Sequence, residues 1–483
     1  MLDPADQAVV QKTLRRLVPF CILCYFLNYI DRVNISVAQL KMIGSPGHPG
    51  VPGFTPDVYA YGVSIFFLGY CLFELPSNLI QQRVGPRRWI ARIMISWGII
   101  SACFIFVSGP RSFYTLRFLL GFAEAGFFPG ILLYLSHWVP HQYRARASAA
   151  FLTSTAISGL VGNPVGGFIQ YFTDNSPLGL ASWQWLFLLE GLPSILIGIA
   201  ALIYLVDRPS GARWLSAEER ARLAALLARE RDAHPASHLS DLRHAFASPH
   251  TWILSAFYGL VIFAFYLVNF FTTLIIERSL KTSGLLSPST HKHILDLYVC
   301  LAAAIPFGAA TLGMVLIGRH SDRHNERKLH LAFACMLITV GMLLAAFAQR
   351  IAGGGTAAGG GGGLATCLTV AGLSIGAIGA FGIFGPFWAL PPQLLAGTAA
   401  AAAFAIINSI GNFFGGFVQP IVRSRLGEQN SLLIAAGFGL LAALLILASP
   451  IPRHREIAAA EGSDSPAPDS PATPAAAAAA PPR

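Results

Sequence analysis

Two sets of paired charges stand inside apolar runs of this sequence. Arg117 and Glu124 lie within the run Phe113 to Val139, and Asp31 and Arg32 lie within an apolar run near the N-terminus. A charge at the centre of a membrane span costs about 2.5–3.5 kcal/mol on insertion scales, so such a residue is a functional candidate by default. Seven residues make two helical turns, which predicts Arg117 and Glu124 on one face, roughly 10 Å apart along the axis. Adjacent helical residues point about 100° apart, so Asp31 and Arg32 cannot share one partner. The economical pairing is Asp31 with Arg117. It leaves Arg32 free to hold an anion, which a guanidinium fork does bidentately and without deprotonating. Glu124, with no basic residue within one turn, becomes the candidate proton carrier, because a carboxylate whose surroundings change can load and release a proton. The competing reading is that both acids and both arginines pair off and hold the bundle together. Glu74 and Glu190 are further acids within spans. They read first as structural, with Glu190 bound to backbone beside Gly191-Leu192-Pro193.

These residues need helices to position them. The 483 residues are 54% hydrophobic and 12% charged, with a mean hydropathy of +0.58. A soluble protein carries about 25% charged residues. The composition therefore specifies an all-α membrane protein crossing the bilayer many times. Twelve apolar segments have spanning length, at 17–38, 58–80, 89–108, 113–139, 146–172, 183–206, 250–276, 295–317, 329–349, 364–390, 393–422 and 430–450. Gly121 and Gly126 let a neighbouring helix approach the fourth. The net charge of +10 comes mainly from basic residues in alternate loops. The positive-inside rule accounts for these better than nucleic-acid binding and puts both termini in the cytoplasm. No cleavable leader is expected.

The longest polar stretch, 207–249, divides the chain into an N-terminal six-helix half, 1–206, and a C-terminal six-helix half, 250–450. Within it Ser216-Ala217-Glu218-Glu219 predicts a capped, short amphipathic helix. The halves echo each other: Gly85-Pro86-Arg87-Arg88 follows the second segment, and Gly318-Arg319-His320-Ser321-Asp322-Arg323 follows the eighth. Repeated halves around a central loop are a pattern of transporters. Gly353 to Gly363 reads as a flexible loop, and the Ala/Pro-rich tail 451–483 as disordered. The seven cysteines fall in apolar segments and read as packing residues. His291-Lys292-His293 reads as a solvated loop before it reads as a metal site.

Taken together, Tyr29-Ile30-Asp31-Arg32, Gly69-Tyr70, Glu74-Leu75-Pro76-Ser77-Asn78, Arg117 to Glu124, Trp185 to Pro193, Gly385-Pro386-Phe387-Trp388 and Ile407 to Asn412 resemble the major facilitator superfamily. More narrowly they resemble its anion:cation symporters. The resemblance spans residues 10 to about 450 and implies the twelve-helix, two-half fold in a bacterial inner membrane. By it, Asp31, Arg117 and Glu124 would serve proton coupling, and Arg32 would hold a substrate carboxylate. Tyr29, Tyr70, Trp388 and Asn408 would line the pocket. Asp322 and Arg323 would form a gating pair in the second half. The first copy of that loop reads Gln81-Gln82-Arg83 and lacks the aspartate, so the lock is expected to rest mainly on the second. Gly162-Asn163-Pro164-Val165-Gly166-Gly167 departs from the drug-antiporter pattern, which argues weakly against drug efflux.

The function implied is proton-coupled import of a small organic anion, such as a sugar acid, a tartrate-like acid or an aromatic acid. An organic-anion exchanger or drug efflux antiporter is the alternative, and a polytopic membrane enzyme the remote one. Expected partners are the anion, protons and the lipid bilayer, without nucleic acid, for a monomeric carrier. No cofactor is expected other than protons as coupling ion.

Overall fold

The computed structural model describes residues 3–44, 50–175, 177–233, 245–283, 292–354, 361–394 and 398–450. The tail after 450, His291 and most of the glycine run lie outside them, so the expectations for those segments are not addressed. The described residues form helices and connecting turns, with no strand among them. The first half contains α1 (Pro4–Val33), α2 (Ile35–Met42), α3 (Pro56–Val84), α4 (Pro86–Ala102), α5 (Pro110–Glu124), α6 (Phe127–Ser136), α7 (His141–Phe172) and α8 (Ser182–Tyr204). A connecting helix, α9 (Ala217–Ala233), follows. The second half contains α10 (Pro249–Ser283), α11 (Lys292–His324), α12 (Lys328–Gly354), α13 (Gly361–Gly382), α14 (Phe384–Trp388), α15 (Pro391–Leu394), α16 (Thr398–Asn412), α17 (Gln419–Leu426) and α18 (Glu428–Ala448). Eleven helical stretches among the described residues are long and apolar enough to cross a membrane. The 32-residue α7 occupies the place of the remaining span.

Several spans differ from smooth apolar runs. The first helix starts at Pro4, well before the hydrophobic segment, because Val9, Val10 and Thr13 are buried. Lys12 there reaches Glu219 of α9 at 2.8 Å. Ser216 and Glu219 form the expected reciprocal cap: the Ser216 amide donates to the Glu219 carboxylate at 2.7 Å, and the Glu219 amide to the Ser216 hydroxyl at 3.1 Å. The fourth span is not one helix. It breaks between α5 and α6, where Gly126 adopts φ +83°, a left-handed conformation that suits glycine. The eleventh span holds a π-helical stretch, Phe413–Val418, between α16 and α17. Each departure is set by backbone geometry or burial, which hydropathy does not read.

Packing within the first half pairs α3 with α5, α4 with α8 and α1 with α7. In the second half, α12 lies against α13 and α18. Gly121 has the role expected of it: a Cβ there would sit 2.0 Å from the carbonyl oxygen of Phe66 on α3. Gly121→Val should therefore force α3 and α5 apart. We expect it to cost about 1–3 kcal/mol and to lower the melting temperature in detergent, while Leu119→Val, at an exposed position, should not.

The halves meet along α7 and α11, and where α2 lies on α10 and α3 on α17. At the end remote from the termini they are joined by several bonds. Tyr59 donates to the Phe270 carbonyl at 2.5 Å, Ser64 to that of Phe417 at 2.9 Å, and Thr273 to that of Ser36 at 2.6 Å. Lys41 at the end of α2 reaches Asp174 at 2.6 Å and Asp296 of α11 at 3.4 Å. This remote end is closed.

Candidate functional site

Between the halves lies a small central cavity. Its wall takes Tyr25, Tyr29 and Arg32 from α1, Tyr70 from α3, Tyr258 and Tyr266 from α10, Trp388 from α14, and Asn408 and Asn412 from α16. The five residues expected to hold substrate, Arg32, Tyr29, Tyr70, Trp388 and Asn408, come from four helices of both halves and all line this one space. Tyr25, Tyr258 and Tyr266 were missed by sequence reading, since tyrosines are common in apolar helices and nothing in their spacing marks them. Asn412 stands inside the quoted Ile407–Asn412 stretch, one turn beyond Asn408, and that spacing could have marked it.

The charges pair differently from the sequence expectation. Arg32 is not free. Its Nε donates to Glu124 Oε1 at 2.7 Å, and its Nη2 donates to the same oxygen. Both residues are buried, at 5% and 2% exposure. The guanidinium carbon also sits 5.4, 5.7 and 5.2 Å from the ring centres of Tyr29, Phe66 and Tyr70, within range of cation–π attraction. Glu124 therefore has a basic neighbour after all, supplied by another helix. It is the last residue of α5, next to the Gly126 break. The break turns the chain just past the carboxylate, so ideal-helix arithmetic from Arg117 does not place what faces it.

Asp31 does not pair with Arg117. Its carboxylate accepts from Trp97 Nε1 at 2.9 Å, Ser101 Oγ at 3.0 Å, Ser194 Oγ at 2.8 Å and Asn34 Nδ2 at 3.4 Å. These donors come from α4, α8 and the α1–α2 junction, inside the first half. A carboxylate is an acceptor only, so four donors satisfy it without a cation. Glu190 of α8 is buried beside the same cluster, near Asn34, and among the described residues its carboxylate oxygens accept no backbone hydrogen bond. Arg117 is fully buried. Its Nε donates to the Gly62 carbonyl at 3.2 Å, and its guanidinium lies 4.7 Å from the Phe66 ring centre. Its two terminal nitrogens have no hydrogen-bond partner among the described residues. The expected pairing of Asp31 with Arg117 is not formed, because their helices present the two side chains to different neighbours.

Glu74 joins the halves on the terminal side of the cavity. Asn408 Nδ2 donates to it at 2.7 Å and Ser409 Oγ at 3.0 Å. The gating residues lie elsewhere. Asp322 forms an ion pair with Arg327, five residues on, and Arg323 is exposed. The pair closes the turn between α11 and α12 and does not reach the first half. At the equivalent place in the first half, the Gln81 amide donates to the Gly130 carbonyl at 2.8 Å, tying α3 to α6.

The arrangement can hold a carboxylate at Arg32 if Glu124 yields its place, with aromatic faces and amides around it. Residues 21–420 match the Major Facilitator Superfamily. The chain is 39% identical to a proposed tartrate transporter of Agrobacterium vitis, over 93% of this chain and 95% of that one. It is 30% identical to a quinolone resistance transporter of Acinetobacter baumannii, over 91% and 93%. Among solved structures, the xylose transporter XylE of E. coli, in a partially occluded inward-open conformation, superposes with a TM-score of 0.64 at 14% identity. That match covers 92% of this chain and 99% of that one, and it shows the fold.

Proposed function

The chain belongs to the major facilitator superfamily, and we propose that it is a carrier importing a small organic anion together with protons. It is a membrane transporter by family, and its similarity to a proposed tartrate transporter supports an organic acid as cargo. The observation that carries the reading is the buried ion pair that Arg32, a residue of the cavity wall, makes with Glu124 behind it.

The pair suggests how anion and proton would be coupled. A substrate carboxylate arriving at Arg32 must displace Glu124. A displaced, charged Glu124 would be a buried carboxylate without a cation, and breaking a buried pair in that way costs about 3–5 kcal/mol. Protonating Glu124 removes that charge. For a singly charged anion, the empty site, Arg32⁺ with Glu124⁻, and the doubly loaded site, Arg32⁺ with substrate carboxylate and neutral Glu124, then carry the same net charge. A site loaded with proton or anion alone does not. A dianion such as L-tartrate needs a second proton to reach the same balance. If only the balanced forms rock between the two orientations of the halves, transport is coupled. Asp31 and Arg117 act in this scheme by fixing α1 and α5, and Asp31 stands as the second candidate for a transported proton.

The test uses purified carrier in proteoliposomes with L-tartrate and a pH gradient, acid outside. Import predicts accumulation that collapses when the gradient is dissipated. The similarity to a quinolone resistance transporter favours a second reading, extrusion. Proton-driven loss of a preloaded quinolone, with no uptake of organic acid, would establish that one instead.

A further inference from the structure

Glu74 sits on α3 one turn beyond Tyr70, toward the end of the bundle that holds the termini, and is 4% exposed. It belongs to the first half, while both its hydrogen-bond partners, Asn408 and Ser409 of α16, belong to the second. The other side-chain hydrogen bonds between the halves among the described residues lie on the remote side of the cavity, as at Tyr59, Ser64, Thr273 and Ser424. Among the described residues, the side-chain hydrogen bonds between the halves on the terminal side are those of Glu74.

The geometry points to Glu74 as a latch and positioning residue: it ties the halves together beneath the cavity and turns Asn408 so that the site selects a hydroxylated carboxylate. The physical reason lies in donors and acceptors. Glu74 takes the NH₂ end of Asn408 at 2.7 Å, which leaves Oδ1, an acceptor, as the end that Asn408 offers elsewhere. Asn412 is held in the opposite sense. Its Oδ1 accepts from the Tyr266 hydroxyl at 2.6 Å, which leaves its NH₂ end as a donor. The cavity thus carries a fixed acceptor and a fixed donor beside the cation Arg32, and the buried Tyr29 hydroxyl and Trp388 Nε1 have no partner among the described residues. A hydroxyl group both donates and accepts, so a carboxylate with neighbouring hydroxyls answers all of these groups. An analogue without hydroxyls would leave them unpaired, and sites of that kind discriminate strongly. The selectivity part rests on the organic-anion reading, and the latch does not.

Two readouts on the full-length protein separate them. The first is the distance between spin labels at Val84, at the end of α3, and Leu329, at the start of α12, both exposed. Glu74→Ala should shift it to longer values. Glu74→Gln keeps a carbonyl acceptor in place and should not. The double variant Asn408→Ala/Ser409→Ala removes the same latch from the other side, and carries this readout if Glu74→Ala does not fold. The second readout is the affinity ratio for L-tartrate over succinate, which differ by two hydroxyls. We expect about tenfold or more in the parent, corresponding to at least 1.4 kcal/mol. In Glu74→Gln the side-chain amide can present either end to Asn408, so the ratio should fall toward one. An unchanged distance in both latch variants overturns the latch. An unchanged ratio in Glu74→Gln overturns the orienting role. If the parent binds neither acid while the distance shifts as expected, the organic-anion reading fails and the latch stands.

Discussion

Glu124→Gln is expected to abolish accumulation of the anion while leaving its exchange across the membrane intact. Glutamine keeps the shape of the acid and mimics its protonated form. In this variant Arg32 loses its charged partner, so an incoming carboxylate meets a cation without having to displace an anion. Anion binding should tighten by about tenfold or more, since even 1.4 kcal/mol of competition from the parent's Glu124 carboxylate amounts to tenfold. The site can then reorient when loaded with anion alone. Uptake under a pH gradient should reach only equilibration, while substrate counterflow continues. Both assays are run in the same proteoliposomes with L-tartrate. Retained, gradient-driven accumulation in Glu124→Gln would move the coupling proton to another acid, with Asp31 first in line.

The second large effect is expected from Arg32→Lys. The charge stays, but the fork that now places two nitrogens on one oxygen of Glu124 is lost, as is the flat guanidinium between the rings of Tyr29, Phe66 and Tyr70. A charge-assisted hydrogen bond contributes about 1.5–3 kcal/mol, so anion affinity should fall about 10- to 150-fold. The fold should persist, because the lysine still neutralises Glu124. Arg32→Ala leaves that carboxylate buried and unpaired and should lower the melting temperature markedly. Thermal shift with and without L-tartrate reads both effects, as a ligand that binds the folded state raises its melting point. Affinity unchanged in Arg32→Lys would remove Arg32 from the binding site.

By itself the sequence determined that this chain is a bundle of membrane-spanning helices in two halves, because spanning length and hydropathy are local properties summed along the chain. It also determined which polar residues are costly in a bilayer, and Arg32, Asp31, Arg117, Glu124 and Glu74 are all buried. The Ser216–Glu219 cap and the close approach at Gly121 were readable because each depends on a few neighbouring residues. Which acid meets which arginine was not readable. Opposite charge and the family resemblance both point to Asp31 with Arg117, yet Trp97, Ser101 and Ser194 satisfy Asp31 from two other helices. The cation that meets Glu124 does not lie on its own helix: Arg32 reaches it across 92 positions of sequence. The left-handed turn at Gly126 sets the direction in which the chain leaves Glu124, and hydropathy does not register one residue's dihedral angles. Glu74 showed as an acid in a span, but its bonds to Asn408 and Ser409, more than 300 residues away in sequence, exist only once the two halves close on each other. Tertiary packing decides these contacts because partners are set by the rotation and approach of whole helices, and no single helix encodes the face its neighbour will present.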